Sequence, residues 1–103
     1  MKKINFKKLT WRFVELSTAH ITKDDDNRLA HELHQLIVHD LDPGWLIYIP
    51  RRRDDPDFWD QLAASAFSPA LRKLLKKVSA EGFRYLRLDP DAKTHPGLPT
   101  FEW

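Results

Sequence analysis

At 103 residues, with 42% hydrophobic and 31% charged side chains, the chain is long enough for one domain, too short for two comfortable ones and too apolar for a disordered polymer. Its formal net charge of +2 is laid out in patches of both signs, which argues against a nucleic-acid-binding surface, and the lack of cysteine excludes a disulfide framework and thiolate metal sites. No apolar run approaches the roughly 20 residues of a membrane span, and Lys2 and Lys3 are not followed by the apolar stretch of a secretory signal, so no membrane contact and a cytoplasmic location are expected.

Residues 1–10 form a basic, flexible start: Lys2, Lys3, Lys7, Lys8 and then Arg12 meet no acid before Glu15. Trp11 to Thr18 mixes aromatic and β-branched residues with Arg12 and Glu15, the pattern of a strand in partly wet surroundings. Thr22, with Asp25 three residues on, resembles a capping box, and Asp24 to Asp26 place negative charge at the positive end of a helix dipole. Leu29, Leu33, Leu36 and Ile37 then recur at helical spacing, which predicts a helix over residues 23–39, stopped by Asp42-Pro43-Gly44. Trp45 to Ile49, "WLIYI", is apolar at every position and predicts a central strand covered on both faces. Asp55-Pro56 begins a short helix in which Trp59, Leu62, Ala63 and Ala66 turn inward. Ser68 as N-cap, Pro69 at the first helical position and Gly82 past the end frame another helix, striped by Leu71, Leu74, Leu75 and Val78. Tyr85 to Leu88 alternates and predicts an edge strand.

The expected architecture is a single α/β domain over residues 1–103, a three-stranded, mostly parallel sheet with two main helices and one short helix. Helices on one side leave the second face of "WLIYI" wet, and Leu98, Phe101 and Trp103 supply the apolar area to cover it. The C-terminal tail, with Ile4, Phe6 and Leu9, is therefore expected to pack on that face; a homodimer sharing the face is the rival.

Parallel strands gather their carboxyl ends on one edge, the edge that carries sites in open α/β folds. That brings together His20, Arg51, Arg52, Arg53, Asp89 and Asp91, with His95 in reach. Asp89, Asp91, His20 and His95 offer oxygen and imidazole ligands to a divalent cation, with the arginines on a phosphate, the make-up of a metal-dependent phosphoesterase or nuclease. The plainer reading is that Asp89-Pro90-Asp91-Ala92 is a turn whose side chains bond to nearby backbone, with His20 capping the strand exit. His31 and His34 are two ligands without a third. No Gly-x-Ser-x-Gly turn and only three glycines leave no nucleophile elbow and no phosphate-cradling loop, and no cofactor is expected. Trp11, Trp45 and Trp59 fit the core, although Trp11 among Lys7, Lys8 and Arg12 also suits base stacking, which keeps nucleic acid as an alternative partner.

Four stretches, "LSTAHIT" (16–22), "GWLIYIP" (44–50), "GFRYLRLDPDA" (82–92) and "LPTFEW" (98–103), together resemble a family of small uncharacterised bacterial proteins carried on plasmids, prophages and genomic islands. Its members have Ser-Thr-Ala-His near the start, then Asp-x-Asp and a Leu-Pro-x-aromatic-acid-Trp ending. The order of the four, more than any one, carries the likeness, which omits residues 1–10 and about 51–68. The resemblance implies an accessory protein of a mobile element and picks out His20, Asp89, Asp91 and Trp103. The resulting expectation is a non-enzymatic interaction protein of anti-defence or regulatory type, meeting a protein partner through the strand-end edge and Arg51 to Arg53.

Overall fold

The computed structural model describes residues 12–31 and 36–103. Along the chain run β1 (Phe13–Ser17), a 3₁₀ turn (Thr18–His20), α1 (Lys23–Leu29), β2 (Val38–Asp40), β3 (Trp45–Tyr48), α2 (Pro56–Ala63), α3 (Pro69–Ala80) and β4 (Tyr85–Asp89). Together they make a small α/β domain with three α-helices on a four-stranded mixed sheet. Trp11 and residues 1–10, including Ile4, Phe6 and Leu9, lie outside the described residues, as do Leu33 and His34. No helix among the described residues is long and apolar enough to cross a membrane.

Each helix begins where its local chemistry places it. The Thr22 hydroxyl accepts from the Asp25 N–H at 3.0 Å and the Asp25 carboxylate accepts from the Thr22 N–H at 3.1 Å, completing the capping box. Asp55 caps α2 by accepting from the Phe58 N–H, Ser68 caps α3 by accepting from the Leu71 N–H, and a proline opens both helices. Asp25 is only 1% exposed, and its carboxylate also accepts from the Ser68 backbone N–H (2.8 Å) and hydroxyl. One side chain thereby fastens the start of α1 to the start of α3, satisfying donors that would otherwise be orphaned at both ends. In α2, Phe58, Trp59 and Leu62 are buried, while Ala63 and, past the helix end, Ala66 are exposed, so the three large side chains fill the inward face without the alanines.

The helix expected over residues 23–39 ends at Leu29. Leu29 and Leu36 both reach the core, as helical spacing requires, but Ile37 is exposed and Val38–Asp40 pairs with β3 as a strand. The β-branched Ile37-Val38 pair favours extended backbone, and the turn that follows folds β2 back onto β3 with Leu41 N–H donating to the Gly44 carbonyl. Gly44 has φ +86°, and a Cβ there would stand 2.1 Å from the Leu88 carbonyl oxygen. Glycine is required because β4 passes directly against the turn.

The strand order is β1-β4-β3-β2. β1 and β4 are parallel, with Val14 opposite Leu86 and Leu16 opposite Leu88, whereas β3 runs antiparallel to both β4 and β2. The three-stranded, mostly parallel expectation is corrected on both counts, and β4 lies inside the sheet, flanked by β1 and β3. Two helices, α2 and α3, occupy the connection from β3 to β4. A single crossover helix would carry the chain back to the far end of the sheet; with two, the chain re-enters at the end it left, and the neighbouring strands are antiparallel.

Leu86, Leu88, Ile47 and Ile49 form the buried face of the sheet in one cluster with Leu71, Leu74, Leu75 and Val78 of α3 and Phe58, Trp59 and Leu62 of α2. The tail joins this same side: Leu98 packs on the cluster and flanks a groove with Val14, Leu16, Leu74 and Val78. That corrects the expectation that it covers the second face. There, Phe13, 57% exposed, stands opposite Tyr85, whose ring lies 5.6 Å from that of Tyr48. Gly44→Ala is expected to cost at least about 2 kcal/mol, from left-handed backbone strain plus the collision with Leu88, and to lower the melting temperature by roughly 10 °C. Gly82, at φ +89° with nothing within 4 Å of an added Cβ, isolates the backbone part. Gly82→Ala should cost about 1 kcal/mol, and equal melting of the two variants would contradict the close β4 approach.

Candidate functional site

β1 ends in a buried Ser17 whose hydroxyl accepts from the Ala19 N–H at 3.1 Å, winding the chain into the 3₁₀ turn. The turn drops His20 into the interior, where it is 1% exposed. Both ring nitrogens meet the backbone of the C-terminal segment. Nε2 lies 2.8 Å from the His95 nitrogen and Nδ1 lies 2.8 Å from the Pro99 carbonyl oxygen. A backbone N–H only donates and a carbonyl only accepts, so Nε2 is the acceptor and Nδ1 carries the proton. Two further bonds continue the attachment: Phe101 N–H donates to the Ala19 carbonyl (2.8 Å), and the Trp103 indole N–H donates to the Ile21 carbonyl (3.0 Å). Pro96 and Pro99 restrict the segment between these points, so less freedom is lost when it docks.

The docked tail raises one side of a cleft of about 410 Å³ at the end of the sheet, lined by Thr18, Asp26, Pro43, Pro90, Phe101 and Trp103 among others. Phe101 is half-buried, whereas Trp103 is 52% exposed although the one polar atom of its side chain is already satisfied. An indole fixed in position yet open to solvent is the unusual feature, because a ring with no such tether would turn to bury its area. Across the cleft the Asp26 carboxylate accepts from the Trp45 indole N–H at 2.8 Å through Oδ1. Asp89 accepts from the Asp91 N–H at 2.9 Å and faces the Arg87 guanidinium at 3.6 Å; Arg87 also donates to the Pro43 carbonyl.

His20, Asp89, Asp91 and His95 thus share the strand-end rim of β1 and β4 with the tail. Arg51, Arg52 and Arg53 do not. β3 is antiparallel, so they leave the sheet at the opposite end, roughly 15 Å away at about 3.3 Å per strand residue, exposed, with Arg51 paired to Asp54 at 2.9 Å. The Asp-x-Asp stretch is a turn in which Asp89 bonds to the backbone two residues on, and the His95 Nδ1 accepts from the Gly97 N–H. Among the described residues, no group of three or more His, Asp or Glu side chains is arranged to hold a metal ion. From the sequence Asp26 is expected only as helix-start charge and Phe101 only as sheet-covering area, and neither is placed at the site. The signals for them were present in the need of the Trp45 indole for an acceptor and in the aromatic spacing of "FEW".

His20→Ala leaves the His95 N–H and the Pro99 carbonyl without their partners and is expected to cost about 2–3 kcal/mol. Truncation after Gly97 removes the Pro99 carbonyl, one of the ring's two partners, and leaves the His95 N–H in place. The double variant should therefore lose at least about 1 kcal/mol less than the sum of the two in thermal or denaturant unfolding. Additive losses would show that the tail and His20 stabilise the domain separately.

The family described as "Family of unknown function (DUF5983) C-terminal domain" matches residues 13–103. No curated protein and no solved structure matches the chain.

Proposed function

The chain belongs to the DUF5983 C-terminal-domain family, a family of unknown function, and from the rim geometry we propose that it is a non-enzymatic interaction domain whose contact surface is the cleft edged by Trp103. The observation that supports this reading is the tethered, half-exposed indole beside Phe101. Rigid aromatic anchors next to a pocket are what protein interfaces use as hot spots, since little conformational entropy is lost when a partner covers them. The likeness of the chain's motifs to accessory proteins of plasmids and prophages supports a regulatory or anti-defence role, in which the domain blocks a host or rival protein in the cytoplasm. Arg51 to Arg53 then form a separate charged surface at the other end of the sheet. A metal-dependent phosphoesterase built on His20 and Asp89 is less well supported, because both nitrogens of His20 are engaged by the tail.

Comparative capture from bacterial lysate with wild-type and Trp103→Ser baits, quantified by mass spectrometry, tests the reading. A protein recovered by the wild type and depleted at least about tenfold with the variant is the expected outcome, in line with the loss of one aromatic hot spot. Equal recovery by both baits, or nothing above background for either, would contradict it.

A further inference from the structure

We propose that the cleft beside Trp103 receives an arginine side chain of a protein partner, its guanidinium stacked on the indole and paired with the Asp26 carboxylate. The inference rests on the rim being the contact surface and adds the chemistry of what enters it. Three features of the cleft converge on a planar cation. Trp103 and Phe101 present aromatic surface, and a guanidinium is attracted to such faces both electrostatically and by stacking. Asp26 lines the same space, and its orientation is set by the Trp45 indole on Oδ1 while Oδ2 carries no hydrogen bond among the described residues. A carboxylate held in this way keeps one oxygen to accept from an incoming donor at little entropic cost.

The charge around the cleft selects the same occupant. Asp42 precedes Pro43, Asp89 and Asp91 flank Pro90, and Glu102 lies between the two aromatic residues of the tail, with Asp24 on the adjoining start of α1. Against these stand Lys23, Lys93 and Arg87, the last already engaged by Asp89 and the Pro43 carbonyl, with Lys73 and Lys77 beside Pro99 in a separate pocket. Among the described residues, the lining of the cleft itself holds the Asp26 carboxylate and no basic side chain, which favours a basic segment over an acidic one. Arginine is favoured over lysine because its flat, forked head can lie on the ring and meet the carboxylate together, whereas an ammonium is a compact, strongly hydrated point charge.

The probes are capped Gly-Arg-Gly, Gly-Lys-Gly and Gly-citrulline-Gly peptides, titrated into the whole chain while the Trp103 indole N–H is followed by NMR. The arginine peptide should move that signal saturably with a millimolar Kd, the range that one cation–π contact and one partly exposed ion pair leave to a short ligand. The lysine peptide should bind more weakly, and neutral citrulline, nearly the same shape, at least about tenfold more weakly. Asp26→Asn keeps an oxygen acceptor for Trp45, should lower the melting temperature by only a few degrees through the lost charge at the start of α1, and should weaken the arginine peptide at least about tenfold. Arginine and citrulline peptides that bind alike, or an arginine peptide that leaves the Trp103 signal unmoved, would overturn the proposal. Capture that depends on Trp103 but not on Asp26 would leave the rim as the contact surface and remove the arginine. Concentration-dependent self-association abolished by Arg52→Ala with Arg53→Ala would also overturn it, by making a second copy of the chain the occupant.

Discussion

A buried imidazole has two nitrogens and no route to water, so each must find a partner within the protein. In this chain both partners come from the backbone of the last nine residues, at His95 and Pro99. That constraint makes the tail part of the domain. With His20 inside, the chain after β4 must pass over the end of β1, and once it does, Phe101 and Trp103 fall within reach of the Ala19 and Ile21 carbonyls in and just after the same short turn. The rim is therefore shaped by one interior side chain. Its cleft exists only while the tail is docked, which links the stability of the fold directly to the surface offered to a partner.

Features written in adjacent residues were legible from the sequence. The capping box of α1, the Asp55-Pro56 start of α2 and the Ser68-Pro69 start of α3 each depend on a few neighbouring side chains, and each stands where the sequence placed it. The leucine stripe of α3 is buried for the same reason. What failed depends on residues far apart in the chain. Leu29 and Leu36 satisfy a helical period and also satisfy two separate segments that both reach the core, and the periodicity alone does not distinguish them. Strand direction, in contrast, was within reach: both helices between β3 and β4 are legible, their even number returns the chain to the end it left, and the parallel expectation counted them as one crossover.

The site divides along the same line. His20, Asp89 and Asp91 follow strands that are parallel, so reading strand ends placed them at one rim, while Arg51 to Arg53 follow the reversed strand and sit at the other. The outcome is two rims of different make-up: carboxylates around a cleft with two aromatic rings at one, and Arg51 to Arg53 beside Asp54, Asp55 and Asp57 at the other. The antiparallel placement of β3 is what separates the arginines from the rim that carries the cleft.

The most direct measurement is the nitrogen NMR spectrum of the His20 imidazole in the intact chain. A proton on Nδ1, slow to exchange with water and coupled across the hydrogen bond to the Pro99 carbonyl, is the result that follows from an interior ring held at both nitrogens by the tail. A proton on Nε2, or a ring proton exchanging as fast as that of a solvent-exposed histidine, would mean that the tail is not held by His20 and that the cleft beside Trp103 is not a fixed feature of the domain.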